Sequence, residues 1–144
     1  MSIDIDFQLL DPRAKTPSKA TEGSAGFDLY ALEEGHLECG ERKLVKTGVA
    51  MALEPYTVGL VCSRSGLALK EGVAVLNAPG IIDEDYRGEL GVILINLGQK
   101  DFWFDAGTRI AQLVILRAPQ ISSFVVNELP ATDRGSGGFG STGA

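Results

Sequence analysis

Residues 3–10 alternate Ile3, Ile5, Phe7 and Leu9 with Asp4, Asp6 and Gln8, a period of two that predicts a half-buried strand. A polar stretch carrying Pro12 and Pro17 then runs to Gly26 and predicts a loop. Apolar, β-branched runs return at residues 27–31, 43–53, 56–62, 89–97, 109–116 and 121–126, and each predicts a strand. Glu54-Pro55 separates the second of these from the third, and residues 98–107 form the connection before Arg109. Residues 63–70 are the one helical candidate.

Eighteen glycines and six prolines recur between these short runs, which argues for an all-β fold. A length of 144 residues with 44% hydrophobic and 22% charged positions suits one soluble domain. Composition shifts at residue 130. Residues 1–129 are expected to form a β domain. Residues 130–144, PATDRGSGGFGSTGA, are too poor in apolar side chains to fold alone and are expected to form a flexible tail. Arg134 and Phe139 set this tail apart from a plain linker, since one can clamp an anion and the other can stack on a flat ring.

Net charge is −6 and the isoelectric point about 4.7, so the basic face that a nucleic-acid polymer requires is not expected. A small anion remains open, because local arginines or a metal can outweigh a modest net charge. Cys39 and Cys62 form no C-x-x-C pair and are expected as buried free thiols in a reducing compartment. The first ten residues lack the basic and apolar regions of a signal peptide, and no apolar run approaches the ~20 residues that span a membrane. A cytoplasmic protein is expected. His36 is the single histidine and reads as a surface residue in a polar turn, which leaves a Ser-His-Asp triad or a histidine metal site without support. There is no G-x-x-x-x-G-K-[ST] loop, and the glycines of the tail do not open a helix after a strand.

Most of the chemistry is concentrated between Gly72 and Leu97. Apolar segments flank a turn containing Asn77, Pro79 and Gly80, the acidic run Asp83-Glu84-Asp85, and then Tyr86, Arg87 and Gly88. A hairpin needs turn residues but not an amide, a carboxylate, a phenol and a guanidinium together. That surplus points to a pocket. Four more segments accompany it: AGFDLYA (25–31), SRSGLA (63–68), GTRIAQL (107–113) and RGSGGFGSTG (134–143).

These five segments, in this order, closely resemble the motifs of the trimeric deoxyuridine triphosphatases (dUTP pyrophosphatases), across nearly the whole chain. The resemblance implies a distorted β jelly-roll subunit of the β-clip type and a homotrimer with sites shared between subunits. It implies hydrolysis of dUTP to dUMP and pyrophosphate by water attack on the α-phosphorus, with Mg²⁺ on the triphosphate. Such an enzyme lowers dUTP, keeps uracil out of DNA and supplies dUMP for dTTP synthesis.

The residues can be read beside that resemblance. Phosphoryl transfer to water needs a group that orients the water and accepts its proton, and Asp83 matches the family's aspartate in that role. Its plainer reading is a turn cap, as for Glu84 or Asp85. By resemblance Asp28 holds waters of the Mg²⁺, which suits a metal reluctant to dehydrate; a solvated strand-end aspartate is the alternative. Arg64, Ser65 and Gly66 form a donor cluster suited to phosphate. Gln112 lies in an apolar run and needs a partner, either a phosphate oxygen or a neighbouring backbone carbonyl. Asn77, with main chain at Gly80, Ile81, Ile82 and Asp83, resembles the uracil reader, and Tyr86 the residue that packs on deoxyribose and excludes a 2′-hydroxyl. Arg87 reads as structural. Arg134, Phe139 and Gly140 of the tail would close over phosphates and uracil.

Gly91 departs from a common lysine and Thr108 from a common acidic residue. Two competing readings share the architecture: a dCTP deaminase, which would act at the base rather than at phosphorus, and a non-catalytic nucleotide-binding jelly roll.

Overall fold

The computed structural model describes residues 2–143, so Met1 and Ala144, the outermost residues of the two expected segments, lie outside the described residues. The chain forms β1 (Ile5–Leu9), β2 (Gly26–Tyr30), β3 (Gly35–Leu37), β4 (Arg42–Lys46), β5 (Val49–Leu53), β6 (Thr57–Cys62), α1 (Ser65–Glu71), β7 (Val73–Val75), β8 (Gly80–Ile82), β9 (Gly91–Asn96), β10 (Phe102–Phe104) and β11 (Arg109–Arg117). All pairings are antiparallel. The strands make sheets ordered β1-β5, β10-β3, β2-β11-β6-β8 and β4-β9-β7.

Alternation gives each strand one inward face. Val92 and Leu94 of β9, Val73 and Val75 of β7, Leu29 of β2, Val61 of β6 and Leu113 of β11 meet in one buried cluster. Met51 and Leu53 of β5, Leu37 of β3, and Phe102 and Phe104 of β10 complete it, so all four sheets share one core. This is the jelly-roll-like all-β architecture expected from the sequence.

Several expectations need correction. The run 43–53 is two strands in two sheets, not one. Buried Thr47 donates its hydroxyl to the Leu90 carbonyl at 2.6 Å and takes the Val49 amide at 3.2 Å. Gly48 follows at φ +71°, where L residues are strained, and a Cβ there would lie 2.9 Å from the Ala14 Cβ. The chain therefore turns between sheets at Thr47-Gly48, inside the stretch expected as one strand. β3, β8 and β10 were not expected. They are three-residue strands, and the connection carrying β10 is tied down by buried Asn96, which donates to the carbonyls of Leu37 (3.0 Å) and Lys100 (2.8 Å) and accepts from Gly98 N–H (2.9 Å). His36 lies in β3, not in a turn, with its ring stacked on Trp103 at 4.3 Å between centroids. Cys39 is exposed and Cys62 partly buried, so the expectation of two buried thiols fails, although both are free.

Residues 121–126 form no strand. Ile121, Phe124 and Val125 are exposed, and no strand edge among the described residues receives them. Residues 130–143 follow as successive tight turns bonded among themselves, such as Gly137 N–H to Arg134 C=O at 3.1 Å.

Candidate active site

One concentration of polar chemistry lies where β2, β11 and the start of α1 meet. Asp28, Arg64, Ser65, Gly66, Arg109 and Gln112 line a cavity of about 290 Å³ there. Gln112 sits opposite Asp28 on β2 and opposite Cys62 on β6, so its side chain shares a face with Asp28. Arg109 reaches the same cavity through a bulge. Residues three apart on a regular strand point to opposite faces. The β11–β2 register shifts between Arg109 and Ala111, inserting one residue, and Ile110 and Ala111 are both buried. Arg109 and Gln112 thereby come to one side.

Asp28 is 15% exposed and lies between two guanidinium groups, with Arg64 Nε at 3.5 Å from Oδ1 and Arg109 Nη1 at 3.6 Å from Oδ2. Arg64 also donates to the Arg109 carbonyl at 3.1 Å. Ser65 and Gly66 open α1, where the first backbone N–H groups have no intrahelical acceptor. The Gln112 Nε2 donates to the Ser63 carbonyl at 2.9 Å, a backbone partner that occupies one of its two amide hydrogens. Gly26 lets the Gln112 side chain lie close, since a Cβ there would sit 3.0 Å from its Oε1. Two guanidinium groups, one carboxylate, a hydroxyl and free amides make a cradle with a positive surplus, suited to a chain of phosphates.

The second group of expected residues lies elsewhere on the same sheet. β8 is its opposite edge, paired with β6 only. The Asn77 amide lies beside Gly80, 3.4 Å from where a Cβ would stand. Ile81 and Ile82 continue the strand, and Asp83 follows one residue past the ladder, exposed. The Tyr86 N–H bonds the Asp83 carbonyl at 3.1 Å, and its hydroxyl donates to the Glu89 carbonyl at 3.0 Å. A Cβ on Gly88 would overlap the Tyr86 ring, so glycine permits this ring position. Arg87 donates to the carbonyls of Glu84 (2.7 Å) and Tyr86 (3.1 Å), as expected of a structural residue.

Arg134, Phe139 and Gly140 form a third group in the tail. Arg134 Nε donates to the Gly137 carbonyl at 2.8 Å, and Phe139 is fully exposed at φ +50°. Within one chain the structure thus brings Asp28, Arg64, Ser65, Gly66 and Gln112 together. It keeps Asn77, Gly80, Ile81, Ile82, Asp83 and Tyr86 at another edge and the tail residues apart from both. Arg109 and Ser24 are polar residues of the cavity that sequence reasoning left without a role. Gly91 faces Lys46 in the β4–β9 ladder under the Leu44 side chain and is not in the cavity. Among the described residues, no three His, Cys, Asp or Glu side chains gather as a metal ligand set.

An anion cradle and an aspartate–tyrosine loop on one all-β sheet define a class of protein that handles a polyphosphate ester. A family model described as dUTPase matches residues 12–143, and the chain belongs to the dUTPase family. It is similar to the deoxyuridine 5′-triphosphate nucleotidohydrolase of Clostridium acetobutylicum, 47% identical over 141 residues, covering 98% of this chain and 97% of that one. Its fold is similar to the dUTPase of Staphylococcus bacteriophage 80alpha with dUPNHPP, with a TM-score of 0.90, 28% identity, and 98% and 99% coverage. It is also similar to a variant dUTPase from phage phi11 of S. aureus, described with a structural Mg(II) ion, with a TM-score of 0.80, 26% identity, and 87% and 97% coverage.

Proposed function

We propose that this dUTPase hydrolyses dUTP to dUMP and pyrophosphate at sites completed by more than one copy of the chain. The observation that carries this reading is the separation of the phosphate cradle at β2–β11 from the Asp83 loop at the β8 edge. Neither group alone can both hold a triphosphate and deliver water to it.

In this reading Asp83 orients a water and accepts its proton as the water oxygen bonds the α-phosphorus. The bond from the α-phosphorus to its bridging oxygen breaks, and pyrophosphate leaves with the electron pair. Arg64, the Ser65 hydroxyl and the Gly66 amide donate to the phosphate oxygens. Gln112 has a second amide hydrogen for the same purpose. β8 pairs on one side only, so its outer backbone groups are available to a pyrimidine edge beside Asn77. Tyr86, fixed by its bond to the Glu89 carbonyl, packs on the deoxyribose. Arg134, Phe139 and Gly140 of the tail (130–144, with residues 1–129 as the body) close over the ligand.

The residues present fit Mg²⁺ bound through water. Asp28 is a single carboxylate at the cradle rather than part of a ligand cage, and magnesium commonly keeps several waters and takes phosphate oxygens as ligands. Asp28 would accept from the metal's waters. Bound there, the metal would offset charge on the triphosphate.

A homotrimer is supported by two unpartnered apolar surfaces. On the outer face of β4-β9-β7, Leu44 is 61% exposed and opposes Ile93, while Ile95 opposes Ala74. Residues 121–129 expose Ile121, Phe124, Val125 and Leu129 on a segment that pairs with no sheet among the described residues. Such surfaces mark interfaces. No helix of the described residues is long and apolar enough to cross a membrane. The cytoplasmic setting is part of the same proposal, and two free thiols suit it.

Pyrophosphate release from dUTP with Mg²⁺ tests the reading against ammonia release from dCTP. Ammonia without pyrophosphate would replace it by a deaminase, and turnover of neither by a binding module.

A further inference from the structure

The Asp83 loop is tied to the rest of the fold by a bond that the reaction scheme does not use. The Glu84 carboxylate accepts from the backbone N–H of Tyr56 in the turn between β5 and β6. Tyr56 is left-handed at φ +63°, a conformation a tyrosine adopts only when its surroundings hold it there. Both its peptide groups are engaged, since its carbonyl accepts from Ala118 N–H at 2.7 Å, just past β11. The same turn is braced below by the Thr57 hydroxyl on the Glu54 carbonyl at 2.6 Å, and by Asp4 N–H on the Glu54 carboxylate at 2.8 Å.

We propose that Glu84 is a positioning residue that fixes the direction of Asp83 by clamping the loop to the Tyr56 turn. The proposal rests on the reading of Asp83 as the water-orienting group. Asp83 has β8 on one side, where Ile82 pairs with Gly59, and Glu84 on the other. The remaining side-chain bonds between residues 83 and 88 close the loop on itself or on Glu89. The far end is held separately, by the Glu89 carboxylate on Gly48 N–H at 3.0 Å. Without Glu84 the loop keeps its own shape but can swing about the end of β8, moving the Asp83 carboxylate off the line of attack. Asp85, exposed in the same turn, lacks this role.

The test uses the full chain and four variants: Glu84→Ala, Glu84→Gln, Asp85→Ala and Asp83→Asn. It measures kcat and KM for dUTP with Mg²⁺, the Kd of dUPNHPP, and Tm. Displacing a catalytic group by about an ångström typically costs on the order of 10–10²-fold, so Glu84→Ala is expected to lose that much kcat while the Kd of dUPNHPP and Tm stay near parental. Glu84→Gln should retain most of the turnover, because its amide oxygen still accepts from Tyr56 N–H, and Asp85→Ala should match the parent. If Glu84→Ala folds poorly, Glu84→Asp, one methylene shorter, should show the same split. Parental kcat in the Ala or Asp variant overturns the proposal. So does a loss shared equally by kcat, affinity and Tm, or a Gln variant as damaged as the Ala variant. Parental turnover by Asp83→Asn overturns the reading of Asp83 itself. Its loss alongside parental turnover by Glu84→Ala overturns the clamp alone.

Discussion

Asp28 and Arg64 meet at 3.5 Å across the mouth of the cradle, and Arg109 holds the other oxygen of the same carboxylate at 3.6 Å. The aspartate thus orders both guanidinium groups before any phosphate arrives. Asp28→Asn removes that attraction and, in the proposed reading, a charged acceptor for metal-bound water. Outer-shell partners of a metal typically carry about 10–10²-fold in affinity. Asp28→Asn is therefore expected to weaken Mg²⁺-dependent binding of dUPNHPP by that order while leaving binding of dUMP near parental. Calorimetric titration with and without Mg²⁺ checks it; an equal effect on both ligands would show a general loss of the pocket.

Leu44 and Ile93 face outward as a cross-strand pair on β4-β9-β7. Leu44→Asp places a charge where the proposal puts a second copy, and an unpaired buried charge strongly destabilises an interface. Sedimentation should then show dissociation, with loss of turnover. A variant that sediments and works like the parent would remove this face from the assembly.

In the proposed reading the tail closes over the ligand. Fixing a backbone costs about 1–2 kcal/mol per residue, so a glycine-rich arm orders only when contacts offset that cost. Deletion after Ala131 should leave a folded assembly with near-parental thermal stability. Its kcat should fall severely, and more than its affinity for dUTP. Phe139→Ala should be milder in the same direction. Parental turnover by the truncated chain would make the tail a bystander.

Gly48→Ala tests the turn that separates β4 from β5. The φ of +71° and the approach to Ala14 at 2.9 Å both oppose a Cβ. A strained left-handed residue costs on the order of 1–3 kcal/mol, and urea unfolding at fixed protein concentration should show a loss of that size. An unchanged midpoint would place the strain elsewhere.

These residues also show where sequence reading reaches its limit. Asn77, Asp83 and Tyr86 were legible as polar chemistry beyond what a turn requires, and Arg64, Ser65 and Asp28 through their motifs. Most strands followed from apolar, β-branched runs bounded by glycine, proline and polar residues. The break at Thr47-Gly48 was passed over because apolar residues resume at once on both sides of it, although Lys46, Thr47 and Gly48 do interrupt them. β3 and β10 are too short to show a period. Residues 121–126 carry a strand pattern, but a strand needs an edge to pair with, and none among the described residues takes them. Arg109 was missed because a period of two sends it away from Gln112, and only the bulge at Ile110 turns it back. Strand order, which separates the cradle from the Asp83 loop, leaves no trace in local periodicity.

The central claim, that Asp83 of one copy serves the cradle of another, is tested most directly by mixing two inactive variants. Asp83→Asn and Arg64→Ala are each expected to lose most turnover alone. Co-expressed in equal amounts so that their chains assemble together, they should regain dUTP hydrolysis. If the two residues of a site come from different chains, roughly a quarter of the sites in a randomly mixed symmetric assembly carry both parental residues. Pyrophosphate release near that fraction of the parental rate is the predicted result. Mixed assemblies no more active than the separate variants would mean that Asp83 and Arg64 act within one chain.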